Sequence, residues 1–179
     1  IMMVRKAAAA DMDGVEKSYM DLLAYEKEHE AFTVWQAGVY PTRATAEEGL
    51  KTGSLYVIEQ AGEICASMLL NQIQPPEYRQ IKWKHQVKEE NVLVVHLLCV
   101  PPLKSGHGYG TEMMQFAVQK GKKMGCRTIR LDTGKQNTPA VALYTKLGFA
   151  LAGTASMAIG GAIEHHNHLF FELNIDETI

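Results

Sequence analysis

The chain has 179 residues, long enough for one domain with a real hydrophobic core and short for two. Its hydrophobic fraction of 46% and charged fraction of 21% are those of an ordinary globular protein. A net charge of -2 offers no overall positive field, which argues against nucleic acid as the main partner.

Residues 2–8 read as a short first strand. Asp11 stands where an N-cap belongs, with Asp13 and Glu16 in the turn that favours negative charge. Met12, Val15, Tyr19, Leu22, Leu23 and Tyr25 then give an apolar stripe that carries a helix to about His29. Trp35 and Tyr40 follow in a loop. Thr45 and Glu48 have capping-box spacing for a second, shorter helix that Gly53 stops. Residues 55–58 and 64–70 predict a hairpin turned at Ala61-Gly62. Pro75-Pro76 breaks its second strand, and residues 72–91 are polar with Tyr78, Trp83 and His85 spread through them, the pattern of an insertion or lid.

Residues 92–100 are apolar apart from His96, about half of what a membrane-spanning helix needs, and suit a central strand covered on both faces. Beyond a group of glycines, Met113, Met114, Ala117, Val118 and Met124 space out a helix ended by Gly125. Residues 127–132 predict a strand and residues 139–147 a helix stopped by Gly148. Residues 149–159 and 165–173 predict a closing antiparallel pair turned at Gly160-Gly161. This order gives a single mixed α/β domain over residues 1–179 around one sheet. Cys65, Cys99 and Cys126 form neither a CxxC pair nor a disulfide framework. With no apolar leader core in the sequence, a reducing, cytoplasmic location is expected, with no membrane partner.

The run Leu97-Leu98-Cys99-Val100-Pro101-Pro102-Leu103-Lys104-Ser105-Gly106-His107-Gly108-Tyr109-Gly110-Thr111 takes a buried strand through a glycine-rich turn into a helix. Glycines let backbone N–H groups crowd around an anion, and the helix N-terminus adds a favourable dipole, so the stretch suits a pyrophosphate. A plain loop uses glycines too. The P-loop pattern requires Gly-Lys-Ser/Thr, whereas Gly110 is followed by Thr111 and Glu112. The dinucleotide pattern GxGxxG ends on Thr111 or Met113, depending on the starting glycine, and fails both ways. A nucleotide-binding oxidoreductase is disfavoured on that ground.

A second motif, Asn137-Thr138-Pro139-Ala140-Val141-Ala142-Leu143-Tyr144-Thr145-Lys146-Leu147-Gly148-Phe149, starts 27 positions after Gly110. Together the two stretches resemble the acetyl-CoA motifs of the GNAT N-acetyltransferase superfamily, and the order of flanking elements agrees over nearly the whole chain. The resemblance implies a central mixed sheet flanked by helices, acetyl-CoA as cosubstrate and no metal. It implies that main chain at Leu98, Cys99 and Val100 holds the pantetheine arm and acetyl carbonyl. It places the pyrophosphate on the backbone of Ser105, Gly106, His107, Gly108, Tyr109, Gly110 and Thr111. Asn137 is the implied side-chain contact to pantetheine or phosphate, and it also reads as a simple helix N-cap. One departure stands out: the family has Arg or Gln where this chain has Ser105, and Lys104 is the neighbouring positive charge.

Acetyl transfer to an amine needs a neutral amine, a polarised thioester carbonyl and a proton for the departing thiolate. Tyr144 matches the family's tyrosine near the cofactor sulfur and is the candidate general acid; a tyrosine simply packed between helix and sheet is the alternative. The family often carries a glutamate where Val94 stands. His96, on the same strand face by alternation, and Asp132, at a strand end, are the candidate bases beside a water chain. Trp35 and Tyr40 fall where relatives build the acceptor site. His166 and His168 share a predicted strand face and read as pocket-lining rather than metal-binding, with no third ligand nearby. The acceptor reads as a small-molecule amine, an amino-acid-like metabolite or a protein N-terminus. An acidic pocket would favour a polyamine or aminoglycoside, and the sequence concentrates acid only at Glu26, Glu28 and Glu30. A homodimer through the last strands is expected. A catalytically silent acyl-CoA sensor on the same fold is the competing reading.

Overall fold

Alternation along a strand decides which layer each side chain joins. In β2 (Leu55–Gln60), Leu55 and Val57 pack with α1 (Met12–Glu28) and with Ala46 of α2 (Arg43–Lys51), while Tyr56 and Ile58 pack with Met113, Met114 and Ala117 of α3 (Tyr109–Met124). The structure, a computed structural model, describes residues 3–176. Its other strands are β1 (Val4–Lys6), β3 (Glu63–Asn71), β4 (Val92–Cys99), β5 (Thr128–Thr133), β6 (Ala150–Ile159) and β7 (Ile163–Asn174), with α4 (Thr138–Lys146) between β5 and β6. One seven-stranded sheet runs in the order β1-β2-β3-β4-β5-β7-β6. Every pairing is antiparallel except that of β4 with β5, whose crossover is made by α3. This is the mixed sheet flanked by helices that the sequence implies. No helix among the described residues is long and apolar enough to cross a membrane.

Helix starts differ from expectation in two places. Asp11 occupies the N-cap position of α1 without capping it. Its carboxylate instead binds the Arg5 guanidinium at 2.7 and 2.9 Å and the Ala8 N–H at 2.7 Å. The Arg5 guanidinium holds that carboxyl below its usual range. α2 begins one turn before Thr45, because the extended chain turns at Thr42. There Thr42 and Thr45 make the capping box, with Thr45 Oγ1 accepting the Thr42 N–H at 3.1 Å. Of the expected first strand, residue 2 lies outside the described residues.

Two of the sheet's register shifts reset the alternation beside the cavity. Between β3 and β4, Leu69 pairs with His96 but Ser67 with Cys99, and Leu97 takes a left-handed φ of 54°. Val95 and Leu98 therefore both join the α3 layer, and Leu97 and Cys99 the α1 layer. β7 does the same at Asn167, φ 57°, where Met157 of β6 pairs with His165 and Ala155 with His168.

Residues 72–91 are sewn to the sheet. Tyr78, Ile81 and Trp83 are buried against Val92, Val94 and Phe170. Arg130 stacks over the Trp83 ring at 4.3 Å and donates to Gln74 Oε1 at 2.7 Å and the His85 carbonyl at 2.9 Å. Glu172 accepts the Lys84 and His85 N–H groups, each at 2.9 Å. Two buried charged side chains thus anchor the segment through its backbone.

Candidate active site

β4 and β5 pair only from Val92↔Thr128 to Val94↔Arg130. Beyond that, β4 stays with β3 as far as Cys99 and β5 stays with β7 as far as Thr133, so the two parallel strands part. The gap opens into a cavity of about 870 Å³ that reaches from the glycine-rich turn to the end of α1. Main-chain groups on the open edge of β4 have lost their β5 partners there and need another.

One end of the cavity is built by backbone. A 3-10 turn at Pro102–Lys104 leads into Ser105, and α3 starts at Tyr109. Gly106 and Gly108 hold φ values of 79° and 81°, left-handed conformations that a Cβ disfavours. Ser105 donates its own N–H to the Pro102 carbonyl at 3.2 Å, so that amide is already used. The first-turn amides of Tyr109, Gly110 and Thr111 have no intrahelical acceptor, and the helix dipole adds to their attraction for an anion. All three residues border the cavity, as do Lys104, Ser105, Gly106 and Gly108. His107, expected with them, is exposed and outside the walls. Lys104 Nζ lies 3.4 Å from Glu63 Oε2, so part of its charge is answered by an exposed carboxylate.

The middle is built by side chains. Leu98 and Val100 border the cavity, whereas the bulge turns the Cys99 side chain into the α1 layer, where burial pushes its thiol up to about 12. Asn137 caps α4 by accepting the Ala140 N–H at 3.3 Å, and it also borders the cavity. Tyr144 packs between Phe149 and Phe171, with ring centroids at 5.8 and 6.1 Å. Burial, reinforced by the nearby Asp132 charge, pushes its phenol far above the usual range and keeps it protonated. Asp132 ends β5. Its Oδ1 accepts the Tyr78 hydroxyl at 2.6 Å, and its Oδ2 accepts the N–H of His168 Nε2 at 2.7 Å. His168 is 2% exposed, and its Nδ1 lies 3.0 Å from Nδ1 of His165. His96 borders the same space. Its Nε2 donates to Asn71 Oδ1 at 2.9 Å, and burial pushes its imidazole below the usual range against the pull of Asp132.

The far end is acidic and aromatic. Trp35 and Tyr40 border it, together with Glu26, Glu30 and Glu77. Glu26 is 8% exposed and accepts the Phe32 and Thr33 N–H groups at 3.0 Å and the Thr33 hydroxyl at 2.5 Å. Glu77 accepts the Ala158 N–H at 2.9 Å. Among the described residues no cation pairs with these three carboxylates, and no Lys or Arg borders this end. Tyr40 lies against Gly160 of the β6–β7 turn so closely that an added Cβ would strike its ring.

His166 is corrected by the structure. It does not share a face with His168 but is exposed, 2.9 Å from Ser156 Oγ and away from the cavity. The bulge at Asn167 slips the alternation by one and brings His165 to His168 instead. Nothing local in the sequence points to Tyr78 and His168 as partners of Asp132, for they stand 54 and 36 residues away.

A sequence model described as the acetyltransferase (GNAT) family matches residues 16–149. The chain belongs to the GNAT acetyltransferase family. The uncharacterized N-acetyltransferase YvbK of Bacillus subtilis (strain 168) is 25% identical over 139 residues, 78% of this chain and 72% of that relative. The uncharacterized N-acetyltransferase MJ1207 of Methanocaldococcus jannaschii is 33% identical over 67 residues, 37% of this chain and only 30% of that relative's length. The structure of yncA from Salmonella typhimurium, solved with its cofactor acetyl-CoA, shares the fold with a TM-score of 0.69 at 16% identity, covering 100% of this chain and 96% of that one. In this GNAT chain the parted strands, the glycine turn and Tyr144 lie along one continuous cavity.

Proposed function

We propose that this GNAT protein transfers an acetyl group from acetyl-CoA to an amine that arrives as a cation. One observation carries the reading: a single cavity joins the amide cradle at the start of α3 to Asp132 and Tyr144, and continues into an acidic, aromatic chamber. The residues fit the cofactor. Gly106, Gly108 and the first amides of α3 suit a pyrophosphate, and the open edge of β4 at Leu98 to Val100 suits a pantetheine arm. When bound, acetyl-CoA supplies an acetyl thioester that an amine can attack.

The rest is proton handling by the protein. Asp132 is the base assigned here. Each of its oxygens accepts one hydrogen bond and retains a lone pair for a cavity amine. His96 suits the task less well, since its Nε2 is committed to Asn71 and burial lowers its affinity for a proton. Tyr144, held protonated by burial, offers an O–H to a departing sulfur. At the far end Glu26, Glu30 and Glu77 favour a cationic amine. An amino acid would bring its own carboxylate to a wall with no cation to meet it. A small-molecule amine, a diamine above all, is the acceptor this lining favours, and a protein N-terminus free of neighbouring carboxylates is the second.

Isothermal titration with acetyl-CoA, with NAD as control, followed by free-thiol release over a panel of diamines, monoamines and amino acids, tests the reading. Stoichiometric binding of acetyl-CoA is expected, with kcat/KM for diamines about tenfold above that for amino acids. Binding without release by any amine would leave the silent sensor. No binding would retire the cofactor assignment.

A further inference from the structure

The contact between His165 and His168 is a proton ambiguity placed directly behind Asp132. Their two Nδ1 atoms are 3.0 Å apart, a distance that requires one N–H to donate and one lone pair to accept. The other nitrogen of His168, Nε2, faces Asp132 Oδ2 at 2.7 Å and carries a proton for that carboxylate to accept. Two arrangements remain. If the Nδ1 proton sits on His165, His168 is neutral and Asp132 keeps its charge unanswered. If it sits on His168, that ring is an imidazolium, and its ion pair with Asp132 weakens the carboxylate as a base.

We propose that His165 is a positioning residue: by donating its Nδ1–H to Nδ1 of His168 it holds His168 in the neutral Nε2–H form and so keeps Asp132 a base. The inference rests on Asp132 taking the proton of the acceptor amine. The balance is simple. One N–H of the ammonium breaks and one O–H forms on Asp132, while the imidazoles change no bond.

The surroundings favour a neutral His165 as the donor, and His168 is enclosed behind Asp132. Burial first, then the titratable neighbours His168 and His166 of β7 and the charged Lys135 of the β5–α4 connection, disfavour an imidazolium at His165 and leave it a neutral ring with one proton to donate. Opposite them on β6, Met157 and Ala155 carry no charge. Around Asp132 stand Tyr78, Tyr40, Tyr144 and His96; burial keeps the phenols protonated and disfavours an imidazolium at His96. Asp132 is the one carboxylate in this set.

Two measurements test it. Nitrogen-15 NMR of the histidine rings of the full chain, without substrate, reads the tautomer. At pH 7 His168 is expected protonated at Nε2 only, and His165 at Nδ1. Finding His168 as imidazolium there overturns the proposal. The second measurement is the pH profile of kcat/KM with acetyl-CoA and 1,4-diaminobutane. In His165→Ala the acid limb is expected to move up by about one pH unit, so that rates on that limb fall about tenfold with little change on the plateau. His165→Asn, whose side-chain N–H donates in the same place, is expected to restore it. A uniform drop at all pH values, with the limb unmoved, means a merely structural His165 and also overturns the proposal. If the wild-type chain turns over no amine, the acetyl-transfer reading fails by itself, and the NMR result still decides this one.

Discussion

The two ends of the cavity are built by different means. The proposed cofactor end is a contiguous stretch in which two left-handed glycines and the free amides of a helix start turn backbone toward the cavity. The proposed acceptor end is assembled from α1, the loop after it, the segment 72–91, the end of β5 and the β6–β7 turn, and its lining is made of side chains. A backbone site should tolerate most changes of side chain, and Ser105, where the family usually has Arg or Gln, is the test of that expectation. A side-chain site depends on each group and on the register of the strands that carry it. Substitutions at the acceptor end should therefore change turnover and leave acetyl-CoA affinity alone, and substitutions at the cofactor end should do the reverse.

Asp132→Asn carries the largest expected effect. Removing the proposed base while keeping the shape should lower kcat by about 10²–10⁴-fold, with the acetyl-CoA dissociation constant from calorimetry unchanged. Equal loss of affinity would erase the division between the two ends. Tyr144→Phe comes next, with kcat down about ten- to a hundredfold and affinity nearly constant. A rate unchanged in that variant would reduce Tyr144 to packing between Phe149 and Phe171.

Gly106→Ala probes the cofactor end. Its methyl would meet nothing within 4 Å, so the cost is the left-handed φ of 79° alone, about 1–2 kcal/mol. Acetyl-CoA affinity should fall about tenfold, with kcat at saturation preserved. The smallest effect is expected for Lys104→Ala. Its ammonium is shared with Glu63, whose side chain is 69% exposed, so affinity should change less than about threefold and the difference should fade with added salt. A tenfold loss there would show that Lys104 takes over the role of the missing Arg or Gln.

Legibility in the sequence follows the same division. The glycine turn, the helix it opens, the Gly125 stop and the Asn137 cap are local features, and the structure has each where the residues predict it. The sequence places the N-cap of α2 at Thr45 and the structure has it at Thr42, because both threonines suit a cap and only the path of the loop chooses between them. Residues 72–91 read as a polar insertion or lid, and Tyr78 and Trp83 within them are buried because Arg130 and Glu172 answer the backbone of that segment from strands far along the chain.

Resemblance of two motifs pointed to the family, while the order of elements and the glycine turn were legible because periodicity, glycine conformation and capping act between near neighbours. Tertiary structure alone decided that β4 and β5 part after Val94, that Tyr78, His168 and Asp132 meet, and that Glu26, Glu30 and Glu77 share one chamber. The physical reason is register. A single extra residue at Leu97 or Asn167 turns every following side chain to the other face, and His165 rather than His166 reaches His168 on that account.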